Sequence, residues 1–360
     1  MSANIPLRLF TGKGEIDMIG KAIPIVVVLV ISVFPLCQSE GKDRDYWPTQ
    51  EWRYSLPEEQ GLSASVFEKM EKYIGDTLWS TESMLIVRHG YVVFEKYYKS
   101  TSEELRSLKS VTKSFISALL GIAIEKGLVQ STDQKMIEFF PDYNERNDIN
   151  STVREVSLHH LLTMSAPLSF FPSPKSLELL FKSHLDGRLK VNFNYNNSCA
   201  EMISIILTSV SKLTAANFAD KYLFKPIGIE TYSWLESNGI SSGGIGLSLR
   251  TIDMARFGYL YLNKGSWDGK QLIPETWIDL STKNQISGLI AGEYADSYGY
   301  YWWLDEANGY KFYFALGLPG AKIIAVIPEL DIVIVTTSSS NVYPGFYSLV
   351  KDYLIPAVKK

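Results

Sequence analysis

The stretch Ser110-Val111-Thr112-Lys113 and the apolar segment it opens constrain this chain more than any other part of it. Val111 to Lys126 reads as a helix, with Gly121 its only weak helix former and Gly127 supplying the stop. Phe115, Ile116, Leu119, Leu120, Ile122 and Ile124 fall on every face of that helix. A helix that is apolar all round is buried, so the rest of the fold must be built around it. Ser110 and Lys113, three residues apart, share one face. A hydroxyl beside a buried amine, at the positive end of a helix dipole, has the makings of a nucleophile and its base.

Length and composition leave room for such a core. The 360 residues suggest one large domain or two intimately joined ones, and a chain 46% hydrophobic and 21% charged is an ordinary globular one. A net charge of −4 gives no nucleic-acid footprint, so no nucleic-acid partner is expected. The histidines His89, His159, His160 and His184 and the cysteines Cys37 and Cys199 build no zinc spacing, and no metal or cofactor is implied.

The N-terminal stretch reads as a targeting segment. Ala22 to Leu36 is almost wholly apolar, with Lys21 before it and Ser39-Glu40-Gly41-Lys42-Asp43 after it. That run is shorter than the roughly 18–20 residues a spanning helix needs, and a secretory signal peptide over residues 1–37 fits best. Met18 offers an alternative start. Cys37 stands where bacterial lipoproteins carry their acylated cysteine, though Leu36 occupies a position usually held by a small residue. The expectation is an exported protein: periplasmic, tethered to a membrane through its N-terminus, or secreted. An uncleaved anchor would have the same topology. Residues 38–56 read as a polar tether and 57–360 as the folded domain. Cys199 would then be left alone, with no disulfide expected.

Within the domain, Leu62 to Ile74 reads as an amphipathic helix with Ser63 or Ser65 near its cap. Ser83 to Arg88 and Tyr91 to Tyr98 read as a hairpin about His89-Gly90. From about 130 to 285 the pattern is mainly helical, including Ser157–Met164, Cys199–Ser211 and Thr251–Asn263, with a flexible turn at 241–246. Residues 166–176, with three prolines and Phe170-Phe171, read as an ordered loop or lid. Strands follow at Tyr298–Leu304, Lys311–Leu316, Lys322–Ile327 and Ile332–Thr337, and a helix from Gly345 to Ile355 closes the chain. Strands near both termini with a helical insert predict an α+β fold: an antiparallel sheet formed from both chain ends, flanked by helices.

Neither chemical motif is specific alone. Ser-x-x-Lys recurs at Ser209/Lys212 and Ser348/Lys351, but only Ser110/Lys113 opens a buried helix. Tyr-x-Asn occurs at Tyr195-Asn196-Asn197 and at Tyr261-Leu262-Asn263; the first lies where a polar stretch enters a helix, the second within one. A third element, Ala315-Leu316-Gly317-Leu318-Pro319-Gly320, ends a β-run, where glycines let backbone approach a ligand. A Ser-His-Asp hydrolase would need Gly-x-Ser-x-Gly, which the chain lacks.

Taken in order, these motifs resemble the serine hydrolases of the class C β-lactamase-like superfamily. It includes penicillin-binding proteins, D-alanyl-D-alanine carboxypeptidases and the esterase and 6-aminohexanoate-dimer hydrolase branch. The resemblance spans about 60–356 and rests on Arg88-His89-Gly90, Ser110 to Phe115, His160 to Met164, Tyr195-Asn196-Asn197, Pro226 to Ile229, Gly243 to Leu247, Ile273 to Trp277 and Ile327-Pro328-Glu329. It implies the β-lactamase/transpeptidase-like fold, Ser110 as nucleophile, and Lys113 with Tyr195 as general base. It also implies Asn197 as a substrate-positioning group or partner of the lysine, and the backbone N–H groups of Ser110 and Leu318 as an oxyanion hole. Phe170, Phe171, Trp303 and Gly317 are expected to line the pocket. Where β-lactamases have Lys-Thr-Gly this chain has Ala315-Leu316-Gly317, and the lysine that would pair with a β-lactam carboxylate is missing. Leu-Gly-Leu-Pro-Gly resembles the esterase and aminohexanoate branch, although Ala321 replaces its frequent Gln and Ser165-Ala166 its usual Ser-Gly. The substrate implied is a short, uncharged or weakly charged ester or amide. The alternatives are a D-amino-acid peptidase or weak β-lactamase, and a non-catalytic binding or scaffold protein on the same fold.

Overall fold

Strands from the two ends of the chain meet in one sheet. The computed structural model describes residues 44–168, 172–173, 177–182, 193–287, 295–340 and 343–359. The sheet has eight antiparallel strands: β1 (Thr81–Arg88), β2 (Tyr91–Tyr97), β3 (Ile286–Ser287), β4 (Ser297–Tyr298), β5 (Trp303–Ala307), β6 (Tyr310–Gly317), β7 (Lys322–Ile327) and β8 (Ile332–Ser338), in the spatial order β3-β4-β5-β6-β7-β8-β1-β2. The N-terminal hairpin thus docks on the last strand, with Leu85 opposite Val335. Its turn is the expected His89-Gly90, with both φ values positive at 53° and 90°, a geometry whose twist matches the flanking strands. Every residue of β7 and β8 is buried, as central strands covered on both faces require.

Pairing decides which helix covers which face. Four helices position the sheet and the site: α1 (Ala64–Thr77), α2 (Thr112–Glu125), α3 (Asn197–Ser211) and α4 (Thr251–Leu262); α5 (Tyr343–Leu349) begins the C-terminal helical run. On α4, Gly258 is pressed so close that an added Cβ would meet Val333 and Ile324 at 2.6 and 2.9 Å. Phe314, paired with Ala325, points to the opposite face from Ile324. There it stacks on Tyr343 of α5 with centroids 5.1 Å apart. Helix α2 lies beyond α4, and the Phe115 and Phe257 rings stack at 3.7 Å. Every residue from Thr112 to Ala123 is buried, as an all-round apolar helix demands.

Three expectations need correction. The α-helix starts at Thr112, and Ser110 sits in a tighter 3-10 turn, Lys109–Val111, entered through Lys109 at φ 52°. The expected strand Tyr298–Leu304 is two strands. Between them Tyr301 takes φ 66°, accepts from Ser114 Oγ at 2.7 Å and donates its own hydroxyl to Leu161 O at 3.1 Å, so anchoring to α2 displaces strand pairing. The residues 44–56, expected as tether, are packed on the domain. Trp52 is buried, Trp47 lies 5.4 Å from Trp267, Tyr54 bridges to Val92, and Arg44 reaches Asp331 with two 2.8 Å hydrogen bonds. Two tryptophans in an otherwise polar stretch carry enough apolar surface to hold it there. The expected signal peptide and residues 38–43 lie outside the described residues.

Candidate active site

The turn that carries Ser110 is held from both sides. Leu108 donates its N–H to Leu247 O at 2.8 Å, and Thr112 Oγ1 donates to Lys109 O at 2.7 Å while accepting from Leu247 N at 3.2 Å. Against the same turn lies the end of β6. Gly317 approaches so closely that a Cβ there would stand 2.1 Å from Leu108 O, which explains why glycine is required. The Leu318 amide follows directly, so the two backbone groups expected to form an oxyanion hole come from adjoining segments.

Lys113, one turn along from Ser110, is 1% exposed. Its Nζ lies 2.9 Å from Ser110 Oγ, 2.7 Å from Asn197 Oδ1 and 2.7 Å from Gly244 O. The last two are carbonyl oxygens and can only accept. A neutral lysine has two N–H donors and one lone pair. With both donors taken by the carbonyls, the lone pair faces Ser110 Oγ. Burial pulls Lys113 down to about 7, while the nearby Cys199 and Glu201 oppose that fall. Cys199 carries little of that opposition, because burial pushes its own thiol up to about 12 and it stays uncharged where Lys113 titrates. Burial pushes the Glu201 carboxyl up as well, while hydrogen bonds from Gly243, Gly244 and Ser242 and the nearby Lys113 act against that push.

Tyr195 reaches the site on a short connection. Asn194 N–H donates to Met164 O at 2.8 Å, and Asn196 caps α3 by accepting from Cys199 N at 3.0 Å. The cap sets Tyr195 before the helix and Asn197 inside its first turn. The Tyr195 ring lies 5.0 Å from Lys113 Nζ and its hydroxyl is hydrogen-bonded with Ser110. Burial around the hydroxyl pushes it up to about 12, with the Ser110 hydrogen bond acting the other way. The residue still keeps 37% of its surface open, so solvent moderates that push. Trp303 stacks on the ring at 5.6 Å and 26°, and Tyr298 and Phe193 pack edge-on or tilted around the pair.

Ser110, Lys113, Tyr195 and Asn197 therefore converge, Gly317 and Leu318 border them, and Trp303 backs the tyrosine. Phe170 and Phe171 lie outside the described residues. The other motif copies stay apart: Asn263 accepts from Arg44 Nε at 2.7 Å and Tyr261 is buried, while Lys212 caps the far end of α3. Sequence reasoning missed Gly244 O and Glu201. The turn read as flexible is tied down, with Gly243 N–H donating to Glu201 Oε2 at 2.7 Å. The available signal was a lone acid, one turn past Asn197, in an otherwise apolar helix.

Comparison with known proteins places this arrangement in a class. The chain belongs to the Beta-lactamase family, whose profile matches residues 80–354. It is similar to an uncharacterized protein of Alkalihalophilus pseudofirmus, 23% identical over 76% of this chain and 88% of that one. Its fold matches a provisionally assigned 6-aminohexanoate-dimer hydrolase from Bacillus anthracis (TM-score 0.64, 20% identity, 85% of this chain and 86% of that one). It also matches an octameric penicillin-binding protein homologue from Pyrococcus abyssi (0.65, 18%, 81% and 77%) and a class C beta lactamase from Rhodobacter sphaeroides (0.63, 14%, 81% and 100%). The family and the β-lactamase/transpeptidase-like fold are consistent with serine hydrolase activity.

Proposed function

We propose that this protein cleaves a short ester or amide through an acyl-enzyme on Ser110. The observation that carries the reading is the Lys113 amine, buried, held by two carbonyl acceptors and 2.9 Å from the Ser110 hydroxyl. An ordinary lysine, with a pKa of about 10.4, is a poor base at neutral pH; one pulled to about 7 is half neutral there. Ser110 Oγ attacks the substrate carbonyl as its proton passes to the Lys113–Tyr195 pair. The developing oxyanion is received by the amides of Ser110 and Leu318, each such donor being worth roughly 10²–10³ in rate. The pair then gives the proton to the leaving alcohol or amine. Water, deprotonated by the same pair, releases the acid and restores Ser110. Because Lys113 and Tyr195 share the proton, their titration belongs to the pair.

Ala315, buried in β6, offers no cation to a substrate carboxylate, which favours an uncharged or weakly charged acyl group over a β-lactam. The apolar run at 22–36, with Cys37 after it, supports export and a membrane tether. Turnover of p-nitrophenyl esters, compared with nitrocefin and a D-Ala-D-Ala peptide, tests the substrate class. Esters are expected to lead. Nitrocefin hydrolysis at β-lactamase-like rates would replace this substrate assignment, and wild type as inert as Ser110→Ala on every substrate would leave a binding protein. Cell fractionation with mass analysis of the mature N-terminus tests export.

A further inference from the structure

Glu201 lies one helical turn past Asn197 on α3 and is 6% exposed, in a run buried from Ser198 to Leu207. Leaving a carboxylate there is costly unless it is fully hydrogen-bonded. Its Oε2 accepts from Gly243 N at 2.7 Å and from Ser242 Oγ at 3.3 Å, and the Gly244 amide also donates to the carboxylate. All of these partners are donors, which suits an ionised acid. The loop comes this close only because residues 243 and 244 have no Cβ. A Cβ on Gly243 would lie 2.1 Å from Ala200 O, and one on Gly244 would lie 2.9 Å from Asn197 Cβ. The glycine whose amide faces Glu201 turns its carbonyl onto Lys113 Nζ at 2.7 Å.

We propose that Glu201 is a positioning residue for the reaction: its carboxylate clamps the Gly243-Gly244 loop to α3 so that Gly244 O and Asn197 Oδ1 hold the Lys113 amine against Ser110, and its charge sets the proton affinity of that amine. The inference rests on the reading of Lys113 as base. The titratable groups facing Lys113 are few. Burial pushes Tyr195, from the connection before α3, and Cys199, on α3, up to about 12, and pushes Glu201 up from a much lower ordinary value; Glu201, whose hydrogen-bond partners are all donors, is the group among the three suited to carry a charge.

The test is the pH profile of ester kcat/KM, with fluorophosphonate labelling of Ser110 in parallel, for wild type and three Glu201 variants. Glu201→Gln keeps an acceptor for Gly243 N–H and removes the charge. Its acid limb should move down by roughly 0.5–1 pH unit while its plateau stays within about threefold of wild type. Glu201→Asp keeps the charge on a shorter arm and should hold the wild-type acid limb with a lower plateau. Glu201→Ala frees the loop and should lose about tenfold or more of the plateau at unchanged KM. An acid limb in Glu201→Gln that coincides with wild type, or a Glu201→Ala plateau within about twofold, would overturn the proposal; should the alanine variant fail to fold, the Gln and Asp profiles decide alone. A wild-type profile with no acid limb would instead remove Lys113 as base, whatever the variants do.

Discussion

The ring of Tyr195 lies nearly parallel to that of Trp303, centroids 5.6 Å apart at 26°. Trp303 is 6% exposed and braced in turn by Tyr298 at 4.8 Å, whereas Tyr195 keeps 37% of its surface open. A half-open tyrosine is thus fixed by a buried tryptophan at the start of β5. Replacing Trp303 by Ala should lower kcat by roughly tenfold with a smaller change in KM, because the phenol loses its orientation. Trp303→Phe should recover most of it. Steady-state ester kinetics on the two variants check this.

With the neutral Lys113 amine as the proposed base, the rate should rise with pH through about 7. Stability should follow a related curve. An unfolded chain holds the lysine proton to about 10.4, whereas the folded one releases it near 7. Below 7 both states are protonated and the burial cost of the ammonium is borne in full. Between 7 and about 10.4 the unfolded state binds more protons, so that cost shrinks as pH rises. Denaturation of wild type and Lys113→Met at pH 6, 8 and 10 measures it: wild type should gain relative to the variant with rising pH.

Gly317→Ala should separate the end of β6 from the Ser110 turn, because the new Cβ would stand 2.1 Å from Leu108 O. A displaced Leu318 amide predicts a loss of roughly 10²–10³ in kcat. The carbonyl partners of Lys113, on Asn197 and Gly244, lie away from the substituted position, so the acid limb of the pH profile should stay in place.

Away from the chemistry, Gly121→Ala places a Cβ 2.4 Å from the Trp277 ring where α2 is fully buried. Overpacking of this kind costs about 1–3 kcal/mol, which thermal unfolding should record as a lower Tm. Arg44→Ala probes the N-terminal stretch. It removes two 2.8 Å hydrogen bonds that tie the N-terminal stretch to Asp331, and a lower denaturant midpoint is expected in unfolding.

The sheet and the residues that converge around Lys113 were legible because each announces itself locally. Hairpin His89-Gly90, the all-round apolar helix after Ser110 and the C-terminal β-runs all follow from short-range pattern, and so does the loop-to-helix junction at Tyr195. What stayed hidden depends on contacts distant in sequence. Glu201 meets Gly243 across 42 positions, and the Tyr301 kink is fixed by Ser114 and Leu161, which no periodicity around residue 301 foretells. Neighbouring aromatics show the same limit. Trp302 is fully buried against Tyr261 at 4.5 Å, while Trp303, one residue on, backs Tyr195. Composition alone cannot separate a core ring from one that serves the site. In residues 44–56 the polar majority masked the buried Trp52 and the partly buried Trp47, which pack against the core.

In the proposed reaction Ser110 forms the acyl-enzyme with Lys113 as its base. Labelling the intact protein with a fluorophosphonate at several pH values, then mapping the modified peptide by mass spectrometry, tests it most directly. A single adduct on Ser110 is expected, formed faster as pH rises through about 7 and lost in both Ser110→Ala and Lys113→Ala. Ester turnover that persists in Ser110→Ala, or an adduct mapping to any other residue, would contradict it.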